Sequence, residues 1–504
     1  MPCLLSASPA LPFQVCDIQS APGTWGDRPL HFVHFTVQDF ESCSGAGDDS
    51  FLWDDEWRDT ISSPPPLSFD SGSPSQTSPS SLSLSLVEEP SWFAPLDISS
   101  QYDEVLFTYY VLEICPRGTM YDDSSNGFRT IIIPMSANHP SVMHSILSVA
   151  AFYRRYEDPA YHVRALEQKE NALIHLRRGY PDDPGLKHEE MIAAAIMLCV
   201  FEIKDGSGPN WDRHIHGGRS ILRAKVHTDG SEVWADGISW WANKFFGYQY
   251  VIGSSSETME DASVFTSPAF WLSQGMDFQE IDGFMGCSSE LMATTAEVSI
   301  LSKDRYAGRI TEEHLHAKTS DLEHRLFHLR QRSMHIPMVL SEDSNLVDAI
   351  NSCLVLQDTS VRAKMLLLTA EARRHAALVF LYACVRGIPM AHSAVQSRVS
   401  RCLLCMSAVS KLMASDDSPI WGMTPLIWPL FVSGACALGD HERFQVANIF
   451  SLLRKTKCLG NVSRAEDTLK AVWKQHDVAS GGHQQQQLSR LFVEPNVKWP
   501  LSLG

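Results

Sequence analysis

From about Pro95 to residue 480 the apolar residues return every three to four positions, the spacing that lines one face of a helix. This periodicity predicts helices near 140–156, 160–178, 188–204, 211–225, 232–252, 289–303, 312–333, 360–387, 393–414, 424–438, 441–457 and 463–476. Helical punctuation supports the edges: Pro140 and Pro159 stand near starts, and Asp205-Gly206 and Arg386-Gly387 near stops. Ile131 to Ile133 is the one strand-like triplet, too short to build a sheet. Residues 253–285, with several Ser, Thr and Gly, read as the longest loop inside the domain. No fixed-period repeat stands out, although successive helices suggest pairing. The expected fold class is all-α: a multi-helix domain of stacked α-hairpins with a disordered N-terminal segment.

The strongest local pattern runs from Glu189 to Arg223. Eleven apolar residues in a row, Met191 to Phe201, are too many for an ordinary strand and too few to span a bilayer. Glu189 and Glu190 suit the positive end of a helix dipole. Gly206 to Pro209 break the helix, and Asn210 is placed to cap the next one, whose first turn holds Trp211 and Asp212. Ile215, Ile221 and Leu222 then face the first helix. The result is a helical hairpin made for burial, with no catalytic group at its join. Trp211 and Trp428, each among apolar residues beside a helix start, are expected to be structural anchors.

Charge divides the chain. The net charge is −18, and the first 100 residues hold 14 acids against two bases, Arg28 and Arg58. Residues 61–90 contain 11 serines and 6 prolines without Lys or Arg, a composition that cannot bury enough apolar surface to offset chain entropy. Upstream, Phe40, Phe51, Trp53 and Trp57 are interleaved with Asp48, Asp49, Asp54, Asp55, Glu56 and Asp59. Such an acidic-aromatic stretch can dock its rings on a partner while its charge keeps it soluble. The expected organisation is a disordered acidic and Ser/Pro-rich segment over 1–95, a helical domain over 96–480 and a tail over 481–504. The segment 1–13, MPCLLSASPALPF, lacks the positive flank of a secretory signal, and no apolar run reaches membrane-spanning length. Twelve cysteines in 504 residues, mostly single among apolar neighbours, read as reduced core thiols.

Few constellations carry chemistry. The one Cys-x-x-Cys, Cys402 to Cys405, lies in an apolar helix with no second pair and reads as packing. His214 and His216 near Asp212 diverge on a helix, being two positions apart. Asp54, Asp55 and Asp59 resemble a magnesium-binding carboxylate cluster but have no second cluster downstream. Trp234, Trp240, Trp241, Phe245 and Phe246 could line a small-molecule pocket, though rings at helical spacing are more often core. Arg154-Arg155, Arg177-Arg178 and Arg373-Arg374 read as solvated helix faces, and no basic stripe offers phosphate contacts. No Gly-x-Ser-x-Gly, phosphate-binding loop or dinucleotide fingerprint occurs. No residue is therefore assigned a catalytic, cofactor-binding or metal-binding role, no cofactor is expected, and the chain reads as no enzyme.

The Phe201-Glu202, Asp205-Gly206, Trp211, His214 and Gly217-Gly218 series resembles the helical regulatory domain of the fungal-specific transcription factors. Further segments resemble it in the same order: Phe128 to Pro134, Ile281 to Ser288, Glu371 to Pro389, Trp428 to Phe431 with Gly434, and Asn461 followed by Trp473. Together they cover roughly 100–480. Members usually carry an N-terminal binuclear zinc cluster, which needs six closely spaced thiolates. Here the N-terminal region offers Cys3, Cys16 and Cys43 alone. The resemblance implies a nuclear transcriptional regulator that acts mainly through protein contacts and controls a specialised-metabolite pathway, the role many relatives have. The implied partners are other transcription regulators or coactivators, in a homo- or heterodimer, with no strong direct DNA binding and no membrane. Two other readings stand: a zinc-cluster factor whose N-terminal exon is missing, and a helical enzyme with a small-molecule pocket.

Limited proteolysis with a broad-specificity protease is expected to cut first within residues 1–92 and to leave one resistant helical body. First cuts inside 140–480, with the N-terminal segment intact, would reject that division.

Overall fold

Helices form at nearly every stretch that the periodicity marks. The computed structural model describes residues 101–178, 184–206, 210–229, 237–253, 262–272, 277–342, 345–415, 424–455, 460–478 and Leu503. The expectations placed on residues 1–95 and on most of 481–504 lie outside the described residues.

Helix α1 (Gln101–Tyr109) runs into a widened π turn at Tyr110–Ile114. The first hairpin pairs α2 (Pro140–Arg154) with α3 (Ala160–Arg178), and the second pairs α4 (Pro184–Asp205) with α5 (Asn210–Asp229). Helix α6 (Gly237–Ile252) packs on both members of the second hairpin. A two-residue antiparallel ribbon, β1 (Ile281–Asp282) and β2 (Cys287–Ser288), leads into α7 (Ser289–Tyr306) and α8 (Glu312–His328). Helix α9 (Leu346–Val355) precedes the central hairpin of α10 (Val361–Phe380) and α11 (Ser393–Ser415). Helices α12 (Ile427–Ala435), α13 (Asp440–Lys455) and α14 (Gly460–Val478) complete the order. The all-α class and the stacked α-hairpins hold.

The last helix returns to the second hairpin. Gly206 ends α4 with φ of 63°, and a Cβ on it would sit 2.4 Å from the Gly460 carbonyl carbon. Reciprocally, a Cβ on Gly460 would stand 2.1 Å from the Asp205 carbonyl oxygen. Glycine at both positions is what lets the end of α4 meet the start of α14.

Four findings correct the sequence reading. Ile131 to Ile133 are helical rather than strand-like, in a π turn over Phe128–Ile132 followed by a short helix over Ile133–Ser136. Asn126 starts that turn: its Oδ1 accepts from Phe128 N at 3.1 Å and its carbonyl from Thr130 N at 2.9 Å. With no strand beside them, β-branched residues follow the cap rather than their propensity. Strand structure forms instead at 281–282 and 287–288, in and just beyond the stretch read as loop. Helices α1 and α9 had gone unmarked, although Leu106, Phe107, Tyr110, Val111 and Ile114 bury one face at helical spacing.

Arg373 and Arg374 form no solvated face, which is the fourth correction. Both are 2% exposed or less, within a helix buried from Ala363 to Phe380. Arg374 donates to both oxygens of Glu371 (2.9 and 2.6 Å), to the Leu326 carbonyl at 3.0 Å and to Glu342 at 3.1 Å. Arg398 donates to the other Glu342 oxygen at 2.6 Å. Burial alone would raise the Glu371 carboxyl, but Arg374 and His375 hold it well below the ordinary carboxylate range. Arg373 donates to Tyr248 Oη at 3.1 Å and to the Pro425 carbonyl at 2.9 Å, and its guanidinium lies 5.6 Å from the Trp428 ring. These charges stay in the core because each is met: Arg374 by two carboxylates, and Arg373 by a hydroxyl, a carbonyl and an aromatic face.

Trp211 and Trp428 are anchors in the structure, 1% and 3% exposed. Truncating Trp211 to Ala is expected to cost about 3–5 kcal/mol through lost burial and the cavity left behind. Glu371→Ala, which removes the bidentate partner of Arg374 and leaves it Glu342 and the Leu326 carbonyl, is expected to cost about 3 kcal/mol. Urea denaturation of each purified variant checks both, an unchanged midpoint counting against burial or pairing.

Candidate functional site

Apolar and aromatic side chains from four helices leave a cavity of about 50 Å³ among them. Tyr110 and Ile114 contribute from the π turn after α1, Val149 and Tyr153 from α2, and Phe245 and Gln249 from α6. Met197, Val200, Ile203 and Lys204 contribute from α4, spaced three and four apart so that one helix face lines the space. Cys115, Arg117, Gly118 and Phe128 close one side, and Phe284 enters from the β1–β2 turn. Widened turns like that at Tyr110–Ile114 recur at functional sites, because the extra residue re-aims side chains.

The β1–β2 turn explains how Phe284 arrives there. Asp282 Oδ1 accepts from the backbone amides of Phe284 (2.9 Å) and Met285 (2.8 Å), while Lys244 forms a buried ion pair with Oδ2. Gly286 has φ of 67°, and a Cβ there would lie 2.8 Å from Pro425 and 3.0 Å from Met120 Sδ. The turn is therefore fixed by a carboxylate and a glycine. Phe284 stands 4.8 Å from the Trp241 ring and 5.9 Å from Phe245, distances at which aromatic pairs attract beyond their buried area.

Lys204 is the chemically distinctive group on the lining. It occupies the last turn of α4, where a cation suits the helix dipole. Burial lowers its amine to about 7, although the side chain keeps partial solvent access. Among the described residues no carboxylate or other acceptor pairs with it. Besides the Arg117 guanidinium, which pairs with Glu113, the other titratable groups are held neutral: burial pushes the Cys115 thiol up to about 12 and the Tyr110 and Tyr153 phenols above their ordinary value. Tyr110 Oη is satisfied by Met197 Sδ at 3.6 Å.

The residues singled out in the sequence are scattered. Cys402 and Cys405 are both fully buried in α11, Cys402 Sγ lying 3.7 Å from the Pro429 carbonyl, and burial pushes both thiols up. His214 is buried and held neutral by burial, its imidazole lowered to about 4. Its Nδ1 finds no hydrogen-bond partner among the described residues. His216 Nε2 lies 3.6 Å from Asp212 Oδ1. Among the described residues no three His, Cys, Asp or Glu side chains converge as metal ligands. Trp241, Phe245 and Phe246 are core, Phe245 also lining the cavity, and Trp240 donates to the Leu272 carbonyl at 2.7 Å. Arg154 and Arg155 lie over aromatic rings, Arg154 above Tyr109 and Tyr161 and Arg155 above Phe152. Asp54, Asp55, Asp59, Cys3, Cys16, Cys43 and Trp234 fall outside the described residues. Lys204 escaped the sequence reading because a lysine at a helix end looks like any solvated cap.

The segments that carried the family resemblance are mostly structural ties. Buried Glu202 pairs with Lys169 of α3, and Trp473 donates to the Gly434 carbonyl at 2.7 Å. A family model described as the fungal specific transcription factor domain matches residues 105–501. The chain is also 24% identical over 420 residues to the trichothecene biosynthesis transcription regulator TRI10 of Trichoderma arundinaceum, covering 74% of this chain and 92% of that protein. No solved structure matches the chain.

The Lys204 amine makes stability depend on alkali in a defined direction. Its folded value near 7 lies below the roughly 10.4 of an unfolded lysine, so between the two the unfolded chain binds more protons and stability rises with pH. Buried thiols and phenols act oppositely there, since their folded values lie above their unfolded ones. The difference between wild type and Lys204→Met isolates the amine. Measured by urea denaturation from pH 6.5 to 10, that difference is expected to shift in favour of wild type as pH rises, and a flat difference would contradict it.

Proposed function

The chain belongs to the fungal-specific transcription factor domain family, and we propose that it controls transcription of a specialised-metabolite pathway through contacts with other proteins. The family match over residues 105–501 carries this reading, and the similarity to a regulator of trichothecene biosynthesis supports the kind of pathway. The helical body over 96–480 is the regulatory domain, the acidic-aromatic stretch within 1–95 is the activating segment, and 481–504 is a tail that the family match runs into. The site of action is the nucleus.

Weak direct DNA binding follows from charge. A net charge of −18 and the lack of any basic stripe leave few phosphates to neutralise and few counterions to release. Promoter association then depends on a partner that reads the bases. The cavity does not favour an enzyme, because its lining offers one amine and one guanidinium beside neutral phenols and a thiol with a raised pKa, and no carboxylate to work against the amine.

Two measurements test this. In a mobility-shift titration at physiological salt, the full-length chain is expected to show no saturable, sequence-preferring binding to promoters whose transcripts change when its gene is deleted. Nanomolar binding that survives unrelated competitor DNA would reveal a base-reading surface and defeat the reading. Fused to a heterologous DNA-binding domain, the chain is expected to activate a reporter. Deleting residues 36–60 is expected to reduce that output severalfold without changing the circular dichroism of the helical body.

A further inference from the structure

The cavity beside Lys204 has two unlike ends. Of the residues that line it, Arg117, Gly118, Val200 and Lys204 keep partial solvent access, whereas Phe128, Phe245 and Phe284 are buried. The accessible side is cationic and the inner side is aromatic.

The two cations differ in what already holds them. Arg117 is engaged by Glu113 at 2.5 Å, one helical turn away. Lys204 has no carboxylate or acceptor among the described residues, yet it stands in an apolar wall between Val200 and Ile203. Its side chain reaches the mouth of the cavity with partial solvent access, a position that packing alone would fill with an aliphatic side chain. A ligand with one negative charge and an apolar body would meet both ends at once.

We propose that this cavity binds a small monocarboxylate, its carboxylate paired with the Lys204 amine and its hydrocarbon or aromatic body against Phe128, Phe245 and Phe284. The depressed amine fits this site, since an arriving carboxylate restores the charged form that burial disfavours. Binding is non-covalent and displaces no bonded group. Such a ligand would touch the π turn after α1, α2, α4, α6 and the β1–β2 turn together, so its presence would tighten the packing among them. The site stands independently of the regulatory role, because it is defined by the lining alone.

The test uses the full-length chain with hexanoate as probe and hexan-1-ol as its uncharged counterpart. Isothermal titration calorimetry at pH 7 is expected to show one saturable hexanoate site, with Kd on the order of 0.1 to 1 mM for so small a ligand. Hexan-1-ol is expected to bind at least tenfold more weakly. Lys204→Met is expected to lose at least tenfold in hexanoate affinity while Lys204→Arg retains most of it, and Val200→Phe, which fills the space, is expected to abolish binding. Equal affinity for the acid and the alcohol, no saturable hexanoate binding, or full affinity in folded Lys204→Met or Val200→Phe would each overturn the proposal. The acid–alcohol comparison on wild type requires no variant to fold, and a DNA-binding or reporter result that sinks the regulatory reading leaves it untouched.

Discussion

Charge inside the core sets the terms for everything packed around α10. That helix is buried along its length, yet it carries Glu371, Arg373, Arg374 and His375 in succession. Four such groups cannot be desolvated singly, so neighbouring elements must deliver partners to fixed points. The end of α8 supplies the Leu326 carbonyl, and the connection after it supplies Glu342. From α11, Arg398 reaches the same Glu342, and α6 and the segment before α12 bring Tyr248 and Pro425 to Arg373. Hydrophobic burial alone would tolerate sliding of one helix over another. A bidentate Arg374–Glu371 pair with further donors to a carbonyl and a second carboxylate tolerates far less.

The β1–β2 turn acts as a second fixed point, using backbone as well as charge. Asp282 is consumed twice, by two amides and by Lys244, and Ser288 at the far end both caps α7 and donates its amide to Gln331 at 2.9 Å. Gln331 continues to the Ala370 carbonyl at 2.7 Å, which joins the turn to the charged helix. Phe284 is held at the tip of this arrangement. Its position beside Trp241, Phe245 and Tyr248 is therefore fixed by hydrogen bonds, and the aromatic wall of the cavity follows from it.

The described body of this chain is largely architecture. Segments that carry the resemblance turn out to hold helix to helix: Glu202 to Lys169, Trp473 to Gly434, and Trp428 beneath Arg373. A scaffold with that many ties can offer a stable surface to partners and still retain an unfilled space, lined on its accessible side by a lysine with no carboxylate beside it among the described residues.

Helix positions were determined by the sequence itself, because a 3.6-residue apolar period and its Pro and Gly punctuation are local properties. The stretches near 140–156, 160–178, 289–303 and 393–414 all became helices over Pro140–Arg154, Ala160–Arg178, Ser289–Tyr306 and Ser393–Ser415. Burial of Trp211, Trp428, Cys402 and Cys405 was legible for the same reason, since their neighbours are apolar. Tertiary structure decided what becomes of charge. Arg373-Arg374 looks like a solvated pair in sequence, and its partners Glu342, Tyr248 and Pro425 lie 32 to 125 residues away. Ile131 to Ile133 took the helix offered by Asn126 because no strand came to meet them. Lys204 came to line a cavity only when the π turn after α1, α2 and α6 closed around it without bringing a carboxylate among the described residues, and an electrostatic environment assembled from distant segments leaves no local trace in the chain.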